Sequence, residues 1–491
     1  MTPTRRIVIV GGGTAGWMAA AALAKSFGDW LEVKLIESDA IGTVGVGEAT
    51  IPAIKNFQAL LEIDEADFLR AVNGTYKLGI EFENWGRLGE RYFHPFGPPG
   101  TDGWAAQFHH YWLKARRLGE RRELGEFSVE TSLARAGRFG TVGERKPNYA
   151  YHFDAGLYAK MLRAYGEKRG VERIEGKVVD VGQHGERGDI ESVTLESGRV
   201  VEGDFFIDCS GFRGLLIEQA LGTGWEDWGH WLFADRAVAV QTESTAPPAP
   251  YTRATARSGG WQWKIPLQHR VGNGLVYSSR YLSDDEARKL LLDNLDGEPL
   301  TDPRPIRFKT GRRLKQWNRN CLSIGLASGF MEPLESTSIH LIQNSIIRFI
   351  KLFPANGVEP SEVAQFNREV ALESECIRDF IILHYHVNQR TDAPMWNDYR
   401  EMDIPDSLAH KIALYRSNAR VFRDLNELFD VQSWVSVMNG QGIVPGGYHP
   451  VVDNAKDEEI AAFMDSTRNA VAQIVQRQPM HEAFLRQVCG A

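Results

Sequence analysis

The apolar positions mark the elements first. Ile7-Val8-Ile9-Val10 is a short apolar run, as a buried strand requires. Gly11-Gly12-Gly13-Thr14-Ala15-Gly16 follows, and then a pattern that predicts a helix from about Trp17 to Phe27. A second run, Val33 to Ile36, ends in Glu37. Further on, Thr75 to Trp85 alternates: Tyr76, Leu78, Ile80 and Phe82 share one face, and Lys77, Gly79, Glu81 and Glu83 the other, so the pattern predicts one half-buried strand. Trp261, Trp263 and Ile265 alternate in the same way up to Pro266. Val178–Val181, Ser192–Leu195 and Asp204–Asp208 are also predicted strands, and Asp154–Arg169 a helix. Ile339, Ile342, Ile346 and Phe349 recur at helical spacing after the turn Met331–Ser338. Beyond Lys351 the pattern is mainly helical, over Ser361–His386, Ser407–Leu425 and Glu458–Arg477, with an irregular glycine-rich connection around Trp434 and Gly440–Pro450.

These elements predict an α/β chain, α+β overall. Residues 1–350 are expected to form a dinucleotide-binding box with inserted substrate-site strands, and 351–491 a mainly helical module packed on it. The loop Thr242–Tyr251, with Pro247, Pro248 and Pro250, is expected to be an exposed excursion.

Composition narrows the class without deciding it. A charged fraction of 24% and a hydrophobic fraction of 43% fit a globular protein. A formal net charge of −8 argues against a nucleic-acid partner and fits a cytoplasmic protein. No run of eighteen apolar residues predicts a membrane span, and the N-terminus runs straight into the first strand. Cys209, Cys321, Cys376 and Cys489 are far apart with no CxxC pair, so buried free thiols are expected and no metal site.

Candidate chemistry sits on three stretches. Strand, GxGxxG, helix, strand, acid is a dinucleotide fingerprint. Its glycines allow a tight turn and close approach of a pyrophosphate to the helix N-terminus, and Glu37, about twenty residues on, would bind ribose hydroxyls. The motif does not separate FAD from NAD. Gly42–Pro52 has the glycine spacing of a loop that wraps a ligand, although a surface loop has the same composition. In Pro333-Leu334-Glu335-Ser336-Thr337-Ser338, Ser336 and Thr337 are candidate caps of the following helix, whose N-terminus would attract an anion beside Glu335. By pattern alone Lys77 is a solvated lysine and His94 a structural histidine.

Taken together, these residues resemble the flavin-dependent halogenases of the tryptophan-halogenase family. The resemblance rests on GGGTAGW at Gly11–Trp17, GVGEATIP at Gly45–Pro52, the Lys77 strand ending in Asn84-Trp85, and Tyr92-Phe93-His94-Pro95. WxWxIP at Trp261–Pro266 and PLEST at Pro333–Thr337 complete it. It implies an FAD-binding box of the flavin-monooxygenase type. Reduced FAD, supplied as FADH2 by a separate flavin reductase, would act with O2 and a halide ion to give hypohalous acid. That acid would pass through a tunnel to Lys77, which either hydrogen-bonds it or becomes a haloamine; an electron-rich carbon of an indole-like substrate then attacks the halogen. Glu335, placed opposite Lys77, would orient the electrophile or take the ring proton. Thr337 and Ser338 would hold the halide, and His94, Phe96, Trp104 and Trp434 would contact the substrate. Gly11, Gly13, Thr14, Ala15, Gly16, Glu37, Gly47, Glu48, Ala49, Val178, Leu326 and Ile339 would line the cofactor. A homodimer is left open, and neither membrane nor nucleic acid is implied.

Two positions depart from the family pattern. Leu326 stands where related hydroxylases have an aspartate for the ribityl chain, which favours halogenation over the alternative of FAD-dependent aromatic hydroxylation. Ser338 stands where tryptophan halogenases usually have glycine; its Cβ and hydroxyl alter the halide pocket and point to bromide over chloride. A flavin-binding protein without turnover is disfavoured by the presence of both Lys77 and Glu335. Indole without the amino-acid group, or a tryptophan residue in a peptide, is as compatible with the late helical segment as free tryptophan.

Overall fold

The computed structural model describes residues 4–41, 47–143, 145–424 and 427–490. The chain divides into two compact units that interleave in sequence: 1–74, 153–230 and 307–374 form one, and 75–152, 231–306 and 375–491 the other. This partition differs from a single cut at residue 350. The inserted strands 75–152 and 231–306 group with the C-terminal helices, not with the glycine-loop strands.

The first unit is built on a six-stranded sheet. Its order is Trp317–Asn318, Cys321–Ser323, Phe205–Asp208, Arg6–Val10, Glu32–Glu37, Glu172–Glu175. The strands from Cys321–Ser323 to Glu172–Glu175 are all parallel. Parallel strands are covered on both faces, which is why Ile7 to Val10 and Phe205 to Ile207 read as continuous apolar runs. The helix Thr14–Phe27 buries every residue from Gly16 to Ala24, five of them alanines that leave no bulk between helix and sheet. A three-stranded antiparallel meander, Val178–Gln183, Ile190–Leu195 and Val200–Glu202, shares a core with Val8, Val10, Phe206 and Cys321. The predicted helix after the PLEST turn runs over Ser338–Lys351 and buries Ile339, Ile342, Ile346 and Phe349.

The second unit is organised on a mixed sheet in which Arg91–Pro95, Gly79–Glu83, Thr252–Arg257, Gly260–Pro266, Val271–Tyr277 and Arg236–Thr242 are successive neighbours. Trp263 faces Gly274 across two of these strands, and its indole lies so close that a Cβ at Gly274 would fall 2.0 Å from the ring. Helices Phe108–Arg117, Val129–Arg135, Asp284–Leu292, Pro394–Glu401, Asp406–Asn418, Val431–Gly440, Asp457–Arg477 and His481–Cys489 belong to the unit, with the part of Pro360–His386 after residue 374.

Several elements differ from expectation. The lysine-bearing stretch is two strands, Thr75–Lys77 and Gly79–Glu83, and not one. Leu78 breaks it: its N–H donates to Pro250 O at 2.8 Å and its carbonyl accepts from Phe96 N at 3.0 Å. The helix predicted to reach Leu425 ends at Asn418, because Ala419 turns left-handed at φ 56° and its carbonyl pairs with His109 Nε2 at 2.9 Å. Trp434 lies on the helix Val431–Gly440, started by the Asp430 carboxylate accepting from Ser433 N, and not in an irregular connection. All four cysteines are free, but only Cys321 is buried; the others are half-buried. No helix among the described residues is long and apolar enough to cross a membrane.

Candidate active site

In the first unit, the turn from the first strand into the helix Thr14–Phe27 is set by the chain's own crowding. A Cβ at Gly11, which sits at φ 114°, would lie 2.2 Å from Cys209 O, and one at Gly16 would lie 1.9 Å from Gly11 O. Gly13 is different: a Cβ there meets nothing within 4 Å. Gly13 is the helix N-cap, no side chain caps the helix, and its first turn carries no acid. Free backbone donors therefore face open space, the arrangement that accepts a pyrophosphate, so these residues fit a dinucleotide cofactor. Thr14 and Ala15 begin that helix, and Gly325 packs against it, a Cβ there lying 2.9 Å from Ala15 Cβ. Leu326 follows in the same half-buried turn, Gly325–Ala327.

Glu37 ends the second strand, as the fingerprint requires, but its carboxylate is already engaged. Arg173 Nε donates to it at 2.5 Å, Arg163 at 3.4 Å and Trp17 Nε1 at 3.3 Å. Val178 begins the neighbouring meander and is half-buried beside that unit's core. Gly47, Glu48 and Ala49 form a short strand; Gly42 to Val46 lie outside the described residues. Glu48 keeps some accessible surface, yet the protein around it pushes its carboxyl up to about 7 by desolvation.

The PLEST segment is a single turn, Pro333–Glu335, followed by Ser336 in the left-handed region at φ 58° and then the helix from Ser338. That left-handed residue costs about 1–2 kcal/mol and reverses the chain within one position. Glu335 is 1% exposed, and Ser336 and Thr337 are buried with it. Thr337 is the N-cap, but its side chain makes no capping hydrogen bond, contrary to expectation. No acid lies in the first turn of that helix. Ser338 is half-buried at the first helical position and Ile339 is buried next to it.

In the second unit, Lys77 is 0% exposed, so its alternation with polar residues does not mark a solvent face. Lys77 lies on the strand paired with Ala150–Asp154, in a different sheet from Glu81 and Glu83, which bond Arg253 Nε at 2.9 Å and Thr255 at 3.1 Å. The Lys77 ammonium lies 5.2 Å from the centre of the Phe96 ring. Burial, with the Lys77 charge adding to it, holds the His152 imidazole well below its ordinary pKa. His94 is buried edge-on to Phe380 at 5.6 Å and tilted to Phe429 at 6.2 Å. Phe380 stacks on Phe429 at 3.8 Å and meets Trp434 edge-on at 4.9 Å. Lys77, Phe96, His94 and Trp434 therefore belong to one unit and one aromatic district.

A model of the tryptophan halogenase family matches residues 6–457. The chain belongs to that family. This halogenase is 35% identical to tryptophan 7-halogenase RebH of Lentzea aerocolonigenes, over 99% of each chain. Its fold is similar to that of Xcc4156, a flavin-dependent halogenase from Xanthomonas campestris, at 52% identity, TM-score 0.98 and 99% coverage of both chains. BrvH, a flavin-dependent halogenase from Brevundimonas sp. BAL3, is similar at 46% identity and TM-score 0.95, again over 99% of each chain. The protein is an enzyme, a flavin-dependent halogenase.

Of the two tryptophans expected to contact substrate, Trp104 is 93% exposed. Trp434 is fully buried edge-on to Phe380, with Lys411 Nζ 5.1 Å over its ring. Phe380 and Phe429 were missed, as were His152 and His481. Helical spacing makes Phe380 one core residue among many, and only the fold carries it to His94. The proline-rich loop is exposed over 243–247 but pinned at its end, where Pro250 O accepts from Leu78 N and Pro248 O from His481 Nδ1 at 2.7 Å.

Proposed function

We propose that the enzyme halogenates an electron-rich, indole-like ring, with Lys77 presenting the electrophilic halogen and Glu335 orienting it or accepting the ring proton. The observation that carries this is the fully buried Lys77 ammonium beside the Phe96 ring, in the same unit as His94. A lysine kept from water serves either as a hydrogen-bond donor to hypohalous acid or, once neutral, as the nucleophile that forms a haloamine. Phe96 and His94 offer flat faces to an aromatic substrate. The relatives named as tryptophan halogenases support an indole ring.

A bound reduced flavin, delivered by a separate reductase, would supply the two electrons that activate O2, so that one oxygen atom oxidises halide to hypohalous acid and the other leaves as water. Gly13 and the uncapped helix start at Thr14 would hold its pyrophosphate. The N–H groups at Thr337 and Ser338 would hold the halide, since a helix N-terminus favours an anion. Glu335, 1% exposed, would act as a general base. Ser338 adds a hydroxyl and Cβ at that anion site, which supports bromide as the preferred halide.

The test supplies enzyme with a flavin reductase, NADH, O2 and an indole panel, with and without halide, and reads products by mass spectrometry. Halogenated product only when halide is present is expected. Hydroxylated product that persists without halide would establish the aromatic monooxygenase alternative instead.

A further inference from the structure

The residues immediately before Lys77 are held by two buried histidines drawn from distant parts of the second unit. Thr75 pairs with His152 across the strands Thr75–Lys77 and Ala150–Asp154. Its hydroxyl donates to Pro266 O at 2.7 Å and meets His152 Nδ1 at 2.9 Å. A threonine hydroxyl has one proton, and Pro266 O takes it, so His152 Nδ1 must be the donor to Thr75. His152 Nε2 then accepts from the Thr252 hydroxyl, 2.9 Å away. At the next residue, Tyr76 N–H donates to His481 Nε2 at 3.2 Å. His481 Nδ1 lies 2.7 Å from Pro248 O, and a carbonyl can only accept, so His481 also carries its proton on Nδ1. Leu78 N–H, one residue past the lysine, donates to Pro250 O at 2.8 Å.

Attachments at residues 75, 76 and 78 thus flank Lys77; His481 must be neutral to accept from Tyr76 N–H, and burial with the Lys77 charge keeps His152 neutral. We propose that His152 and His481 form a clamp that positions Lys77 for halogen transfer, and that this positioning depends on both imidazoles being held as Nδ1–H tautomers. The proposal rests on the assignment of Lys77 as the residue that presents the halogen. His152, Thr75 and His481 are positioning residues; none of them need touch substrate.

The burial supports this. Thr75 and His152 are fully buried and His481 is 1% exposed, so no water competes for these bonds. Tyr76 is held from the other side, stacked on Phe139 at 4.0 Å and packed at 5.5 Å from Phe484, three residues beyond His481. Burial keeps His481 at about 4 and His152 well below its usual value, so both remain neutral through the working pH range. Pro266 is the last residue of the WxWxIP strand. The clamp therefore ties the lysine to that signature, to the end of the proline-rich loop, and to the C-terminal helix His481–Cys489. A lysine that transfers a reactive halogen must be aimed, since a small displacement from productive geometry loses rate while leaving the earlier oxidation steps running.

The experiment compares Thr75→Val and His481→Leu, which remove one attachment each, with Thr75→Ser and His481→Gln, which restore a hydroxyl and an acceptor. Each variant is assayed for halogenated product per flavin oxidised, with an added thiol-free trap reporting hypohalous acid that escapes. Thermal unfolding and amide exchange at residues 75–78 are measured alongside. The expected result is a fall of about tenfold or more in product yield for the first pair, a rise in trapped hypohalous acid, faster exchange at Tyr76, and recovery of most of the yield in the second pair. Folded Thr75→Val and His481→Leu proteins with unchanged yield would overturn the clamp. A Lys77→Ala control separates the two failures: if it still halogenates, the assignment of Lys77 is wrong and the clamp falls with it. A readout independent of variant folding is the 15N spectrum of histidine-labelled enzyme, where both residues should show the Nδ1–H tautomer; an Nε2–H or doubly protonated form at either would overturn the proposal.

Discussion

At the scale of single residues, Lys77 shows how a pattern can be right about geometry and wrong about environment. The alternation of Thr75–Glu83 puts Lys77 on the polar side, but the stretch breaks at Leu78, Lys77 pairs with Ala150 in a separate sheet, and the lysine is buried. Lys77→Ala should lose nearly all halogenation, while NADH-driven flavin oxidation continues, as measured by product yield against oxygen uptake. Ser338→Gly should raise chloride use relative to bromide in a two-halide competition, because it removes the Cβ and hydroxyl from the first helical position; an unchanged ratio would take Ser338 out of halide choice. Glu48 supplies a pH prediction. Its carboxyl titrates at about 7 in the folded chain, raised by burial. The folded state therefore holds the proton more tightly than the unfolded one. The contribution to stability is complete below the ordinary carboxylate pKa and is lost as pH rises toward about 7. In cofactor-free protein, Glu48→Gln should leave the unfolding temperature nearly unchanged at low pH and raise it increasingly up to pH about 7, with a level difference above.

At the scale of elements, the sequence was legible where local chemistry decides the outcome. GGGTAGW makes a strand-to-helix turn because Gly11 and Gly16 would clash with the chain itself if they carried a Cβ. The apolar stripe Ile339–Phe349 folds as the helix it predicts. Legibility failed where a distant partner decides. Nothing near Leu78 in sequence announces that Pro250 will take its N–H and split the strand. Nothing near Asn418 announces that His109 will fix the carbonyl of Ala419. The cap expected at Thr337 was also a local inference; its side chain makes no capping bond, and the chain turns left-handed at Ser336 just before the helix. The WxWxIP strand carries a packing prediction. Gly274→Ala would place a methyl 2.0 Å from the Trp263 ring, and should lower stability by about 1–3 kcal/mol in chemical denaturation. A variant as stable as the parent would show that the tryptophan moves freely.

At the scale of the molecule, two compact units interleave, each assembled from three chain segments. The sequence showed the glycine-loop half and the helical C-terminus, because both have regular periods. It could not show that 75–152 and 231–306 pack with the C-terminal segment, since no linker composition marks those crossings. The same interleaving explains which site residues were legible. Gly11–Gly16, Glu37, Glu335 and Lys77 sit in short motifs, whereas His152 and His481 act from 77 and 405 positions away in the chain. The central claim is that a halide-derived electrophile reaches the substrate through Lys77. Its most direct test is one assay of parent and Lys77→Ala enzyme with reductase, O2, bromide and an indole substrate, counting brominated product against oxygen consumed. The account predicts brominated product from the parent alone, with similar oxygen uptake in both. Equal bromination by Lys77→Ala, or an oxygenated product formed by the parent without halide, would contradict it.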